Sequence, residues 1–240
     1  MPNLIELNSD NKKFEIKNSS QTEAEILMYD QIGEDWFGAG ITSKSFSEEL
    51  SKLPKSIKQI NLRINSPGGS VFDGMTIYQR LKDHPAKVTA YVDGIAASIA
   101  SIIMLAADEI VMGDGAMVMI HRPMSGVHGN VAELERMIDI LDKIENQMIS
   151  LYAKKTGASR IEIAKLLSEE TWFTSTEAID FKIADRTFEA KETLKLVACA
   201  IESGKFFKNK PQFKSTNSLV KEKLKELTNE AKLLLNNTKK

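Results

Sequence analysis

The chain has little of what several protein classes require. It holds one cysteine, Cys199, so no intrachain disulfide can form and nothing indicates an oxidising compartment. Three histidines beside that lone cysteine do not supply a Cys/His cage, and neither a metal nor any other cofactor is expected. Long apolar runs are missing too. The least polar stretch, residues 94–107, is closed by Asp108 and Glu109 and falls short of the roughly 18 to 20 residues that a membrane span needs. The first 13 residues offer neither a basic region nor an apolar core ahead of a small-residue cleavage site. A cytoplasmic protein without membrane partners is the expectation.

What is present is the balance of a globular chain: 240 residues, 42% apolar and 27% charged, enough for one substantial α/β domain and an appendage. The net charge of −1 conceals an asymmetry. Residues 205–240 carry ten lysines against three glutamates, a local +7 that leaves −8 on the remainder. Such basic tails are more often solvated than bound to an acidic partner, and nucleic acid is not expected as one.

The pattern along the chain divides it into an N-terminal arm, 1–24, a domain, 25–188, and a linker with a basic amphipathic tail, 189–240. The arm is polar and rich in Asn, Ser and Lys. In the domain, 26–29 and the alternating 57–64 read as strands, with a helix over 45–53 between them. Ser66-Pro67-Gly68-Gly69-Ser70 must turn, and a helix with apolar Val71, Met75, Ile77, Tyr78 and Leu81 follows. A strand over 87–92 is expected to break at Gly94, ahead of a buried helix over 96–107. Strands over 109–112 and 116–120, a long helix over 131–155, shorter helices over 159–168 and 175–181, and a closing strand over 182–188 complete an α/β order. The long helix carries Leu134, Met137, Leu141, Ile144, Met148 and Leu151 at spacings of three and four, a stripe for packing on another surface.

Serine nucleophiles need an exposed hydroxyl, a base within reach and donors for the oxyanion. Ser98, in Gly94-Ile95-Ala96-Ala97-Ser98-Ile99-Ala100, falls at a strand-to-helix turn where the helix N-terminus favours negative charge and the Ile99 N–H has no intrahelical partner. The spacing is not G-x-S-x-G. Taken alone, a serine among alanines is more often a packing residue. Elimination gives a candidate base, for which a satisfied core or strand-end histidine is an equal reading. His84, before Pro85 at a helix end, and His128, in a glycine-containing loop, read as surface residues, whereas His121 ends the apolar strand 117–120. The turn at Gly68-Gly69 can bring backbone N–H groups close to a ligand.

Three stretches, Ile64-Asn65-Ser66-Pro67-Gly68-Gly69-Ser70-Val71, Gly94-Ile95-Ala96-Ala97-Ser98 and Met119-Ile120-His121-Arg122-Pro123, closely resemble signature segments of the Clp protease proteolytic-subunit family, in the family's order. Trp172-Phe173-Thr174-Ser175-Thr176-Glu177-Ala178 and then Asp185 resemble its closing segment, so the likeness spans about residues 25–187. The resemblance implies a ββα spiral of the kind shared with crotonases, and a serine endopeptidase with Ser98 as nucleophile, His121 as base and the N–H groups of Gly69 and Ile99 as oxyanion hole. It also implies polypeptide substrates and homo-oligomeric rings stacked through the 131–155 handle helix. The family's catalytic aspartate falls at Thr171, which can orient an imidazole but not stabilise its cation by charge. Glu170 or Glu169 is the alternative third member. A Glu-Thr-Trp version of this segment resembles the phage head maturation proteases, with capsid or scaffold proteins as partners. The N-terminal arm does not resemble the family's axial-loop segment, which argues against an ATPase unfoldase as partner. A crotonase-type acyl-CoA hydratase or isomerase, or a non-catalytic assembly protein on a decayed protease fold, are the rival functions. Activity is expected to rise as His121 loses its proton, near the ~6.5 of free histidine or above it.

Overall fold

The computed structural model describes residues 14–18, 20–34 and 40–188. The expected basic tail and its amphipathic helix lie outside the described residues. Among the described residues, eight strands form one sheet. They are β1 (Phe14–Asn18), β2 (Glu23–Met28), β3 (Gln59–Ser66), β4 (Lys87–Ala97), β5 (Glu109–Gly113), β6 (Met117–Ile120), β7 (Thr171–Thr174) and β8 (Arg186–Phe188). The helices are α1 (Ser43–Ser51), α2 (Val71–Lys82), α3 (Ile99–Met104), α4 (Val131–Thr156), α5 (Arg160–Ser168) and α6 (Ser175–Asp180).

The sheet runs β1-β2-β3-β4-β5-β8, antiparallel at β1·β2 and parallel thereafter. Residues 14–18, read as part of a loose arm, pair with β2 instead. Their sequence, Phe-Glu-Ile-Lys-Asn, gives no strong apolar signal, and the pairing comes from the neighbouring strand. Even-numbered side chains of β3 (Ile60, Leu62, Ile64) face a core that also takes Phe46, Ile77, Leu81, Ile102 and Ile103. Each such aliphatic burial stabilises by about 1.5–3 kcal/mol. On the other face, the Asp93 carboxylate accepts from Tyr29 Oη (2.6 Å) and Arg63 Nε (2.8 Å) and forms a second contact with Arg63 Nη2.

β4 departs from expectation. It does not stop at Gly94 but runs on to Ala97, and α3 starts only after Ser98. The glycine serves close approach here: a Cβ at Gly94 would stand 2.7 Å from Asn65 Oδ1. The pairing of β3 with β4 shifts between Ile64↔Val92 and Ser66↔Ala96, a bulge that bends the strand. As a result β4 forks. Its first half pairs with β5 and its last three residues pair with β6, which pairs in turn with the antiparallel β7.

Helix ends follow local sequence. Thr42 caps α1 by accepting from Ser45 N (3.0 Å), and Asn130 with Glu133 forms a reciprocal capping box on α4. No residue of α4 before Met148 is buried, and Val131, Leu134, Ile138 and Ile140 are exposed. Among the described residues, no helix is long and apolar enough to cross a membrane.

Candidate active site

The Gly68-Gly69 turn, Ser98 and His121 follow the carboxyl ends of β3, β4 and β6, where open parallel sheets collect their ligand-binding groups. Ser98 is the residue before α3 and holds φ 53° and ψ −127°. Its N–H donates to Met119 O (2.9 Å), so the fork of β4 onto β6 fixes the serine and the histidine strand together. His121 Nε2 lies 2.8 Å from Ser98 Oγ. With the ring proton on Nδ1, Nε2 accepts from the hydroxyl and can take its proton.

The register of β6 on β7 pairs Ile120 with Thr171, and continuing it by one residue sets Glu170 opposite His121. Glu170 is buried, at φ 50°. Ser98 and Glu170 are thus two of three non-glycine residues with clearly positive φ among those described, at a cost of roughly 1–3 kcal/mol each. Burial lowers the His121 pKa below its ordinary value, and the Glu170 charge opposes that shift. The Thr171 hydroxyl donates to Leu166 O (2.7 Å), so it brings the ring no proton and no charge. Glu169 is 55% exposed in its side chain, with Lys165 Nζ 3.9 Å away. His84 and His128 lie apart from this cluster. The Nδ1 of His84 accepts from Ala86 N (3.1 Å), and His128 is exposed.

Backbone donors border the serine. Gly68 has φ 91°, and a Cβ there would stand 2.6 Å from Ala97 O and 2.7 Å from Ser98 Cβ. Gly69, at φ 143°, bridges to Ile32. That bridge uses Gly68 O and Ser70 N, so it does not consume the Gly69 N–H. The Ile99 N–H opens α3, where the helix supplies no acceptor. Hydroxyl, imidazole, buried carboxylate and backbone donors together are the parts that acyl transfer needs.

Two groups that sequence reading missed reach the same backbone. Ser101 Oγ donates to Ser98 O (2.5 Å) and lies 2.6 Å from Tyr152 Oη. The only signal for them was a pair of hydroxyls at otherwise apolar positions.

The Clp protease family model matches residues 8–191. ATP-dependent Clp protease proteolytic subunit 1 of Protochlamydia amoebophila is 34% identical over 163 residues, 64% of this chain and 79% of that protein. Proteolytic subunit 2 of Corynebacterium diphtheriae is 32% identical over 137 residues, 56% of this chain and 69% of that protein. A solved structure of a ClpP1 mutant from Listeria monocytogenes superposes with a TM-score of 0.61 at 26% identity, over 70% of this chain and 92% of that one.

Proposed function

Because the chain belongs to the Clp protease family, we propose that it is a serine endopeptidase that cleaves polypeptides through an acyl-enzyme, with Ser98 as nucleophile and His121 as general base. The observation that carries this reading is the 2.8 Å contact between Ser98 Oγ and His121 Nε2 at the start of a helix. In the proposed cycle, Nε2 takes the hydroxyl proton as Oγ attacks the scissile carbonyl. The N–H groups of Gly69 and Ile99 receive the oxyanion, and the imidazolium returns its proton to the leaving amine. Water then attacks the ester with His121 again as base, and Ser98 regains its proton.

Glu170 takes the third role in this proposal. Its carboxylate acts on the ring by charge, which Thr171 cannot do, while Glu169 points to Lys165. The exposed apolar residues of α4 support rings stacked through that helix. The Glu-Thr-Trp segment and the basic tail support a capsid-maturation role, in which the tail recruits the protease to an assembling shell.

Fluorophosphonate labelling of the full-length protein tests the chemistry. The wild type should gain one phosphonyl group on Ser98 and hydrolyse an N-capped peptidyl coumarin amide. Ser98→Ala should lose both activities with an unchanged circular dichroism spectrum. A hydratase or a decayed scaffold would leave the wild type unlabelled, and hydrolysis retained in Ser98→Ala would overturn the assignment.

A further inference from the structure

We infer that Ser101 and Tyr152 are positioning residues for this hydrolysis: together they fix the peptide plane between Ser98 and Ile99, and so aim the Ile99 N–H at the oxyanion. The inference rests on the serine-peptidase reading and adds to it two residues that touch no substrate.

A peptide unit is planar, with its C=O and N–H directed oppositely. The carbonyl of Ser98 and the N–H of Ile99 belong to one such unit, so whatever holds the first orients the second. The backbone of Ser98, at φ 53° and ψ −127°, lies outside the favoured wells of an L-residue and does not settle that orientation by itself. It is held from two sides. The Ser98 N–H donates to Met119 O (2.9 Å), and the Ser98 carbonyl accepts from both Ser101 N (3.0 Å) and Ser101 Oγ (2.5 Å).

The second layer is Tyr152. A serine hydroxyl has one proton, and that of Ser101 goes to Ser98 O, so in the 2.6 Å contact Tyr152 Oη is the donor and Ser101 Oγ the acceptor. Both residues are fully buried. No solvent can replace either bond, and loss of one partner leaves the other unsatisfied. Burial also holds the Tyr152 phenol well above its ordinary pKa, so it remains a donor through the pH range in which His121 loses its proton. Tyr152 comes from the buried end of α4, which therefore supports the nucleophile's backbone from across the core.

If the two hydroxyls served only to satisfy each other, their removal would lower stability and leave turnover of the folded enzyme alone. Steady-state kinetics on the full chain with the peptidyl coumarin amide, and the rate of fluorophosphonate labelling, separate the cases. Losing an oxyanion donor costs about 100-fold or more in kcat, and misaiming one should cost roughly tenfold in Ser101→Ala, less in Tyr152→Phe. KM should stay within about twofold, and the pH midpoint should not move, since neither residue acts on His121. The double variant should be no slower than Ser101→Ala, because Tyr152 acts through Ser101. Unchanged kcat in both folded variants, a change confined to KM, or additive losses in the double variant would overturn the inference. If Tyr152→Phe fails to fold, Ser101→Ala, which removes one oxygen, carries the test alone. A wild type that neither hydrolyses nor labels overturns the peptidase reading and this inference with it. An active wild type with unaffected variants overturns the inference alone.

Discussion

Burial and charge pull the His121 imidazole in opposite directions. Burial is the larger influence and disfavours the cation, so the pKa lies below that of free histidine, and the Glu170 carboxylate recovers part of the difference. The expectation from sequence, a midpoint near ~6.5 or above, is corrected downward, because the strand end that holds the ring firmly also strips it of water. The base form is the neutral one, so kcat/KM should rise with pH through a midpoint below that value. Glu170→Gln removes a charge that favours the cation. The midpoint should therefore fall further, and kcat should drop on the order of a hundredfold or more as the imidazolium loses its counter-charge. Thr171→Val should leave the midpoint in place. A pH–rate series on the three proteins checks this, and the opposite ranking would give the third role to Thr171. Ser98 and His121 stand out in the sequence through the resemblance of their segments, with the Gly68-Gly69 turn, to a family's signature stretches, since a serine among alanines taken alone is more often a packing residue. The choice among Glu169, Glu170 and Thr171 could not be made, and the proposed one rests on the burial and the left-handed φ of 50° at Glu170, which local sequence does not encode.

At the scale of elements, α2 and α3 meet at Gly74. A Cβ there would stand 2.1 Å from Ile99 Cγ1, so the helix that follows the glycine turn lies against the residue that follows the nucleophile. Gly74→Ala must push α3 away or be relieved by the Ile99 side chain. We expect a loss of roughly 1–3 kcal/mol in urea unfolding, as for other overpacked cores, with a fall in kcat because Ile99 moves. Full stability with full activity would mean that Ile99 can adopt another rotamer at no cost. The helices were legible in outline, with 45–53 expected where α1 spans Ser43–Ser51 and 131–155 where α4 spans Val131–Thr156. Two short strands, β1 and β7, were not. β7 has four residues between two helices, and β1 draws its structure from β2, so neither carries a pattern long enough to read. The continuation of β4 past Gly94 was hidden because a glycine that breaks a strand and one that admits a neighbour's side chain look alike in sequence.

For the whole molecule, the exposed turns of α4 and the charged tail are distinct attachments in the proposed assembly. α4 belongs to the segment matched by the family, and residues past Gly204 do not. Truncation after Gly204 should therefore leave peptide hydrolysis and the oligomer, measured by light scattering on a sizing column, nearly unchanged. It should lower co-sedimentation with capsid or scaffold protein. A truncated chain that loses hydrolysis together with its oligomeric state would show that the tail is part of the catalytic body. The fork of β4 bears also on the birth of the protein at the ribosome. Gly69, Ser98, His121 and Glu170 are made in that order, and the last is drawn to the histidine only when β7 has been synthesised and has added to β6. Chains emerge N-terminus first, at about 5–20 residues per second. A nascent chain can therefore carry its serine and its histidine for several seconds before it has the carboxylate proposed to complete them.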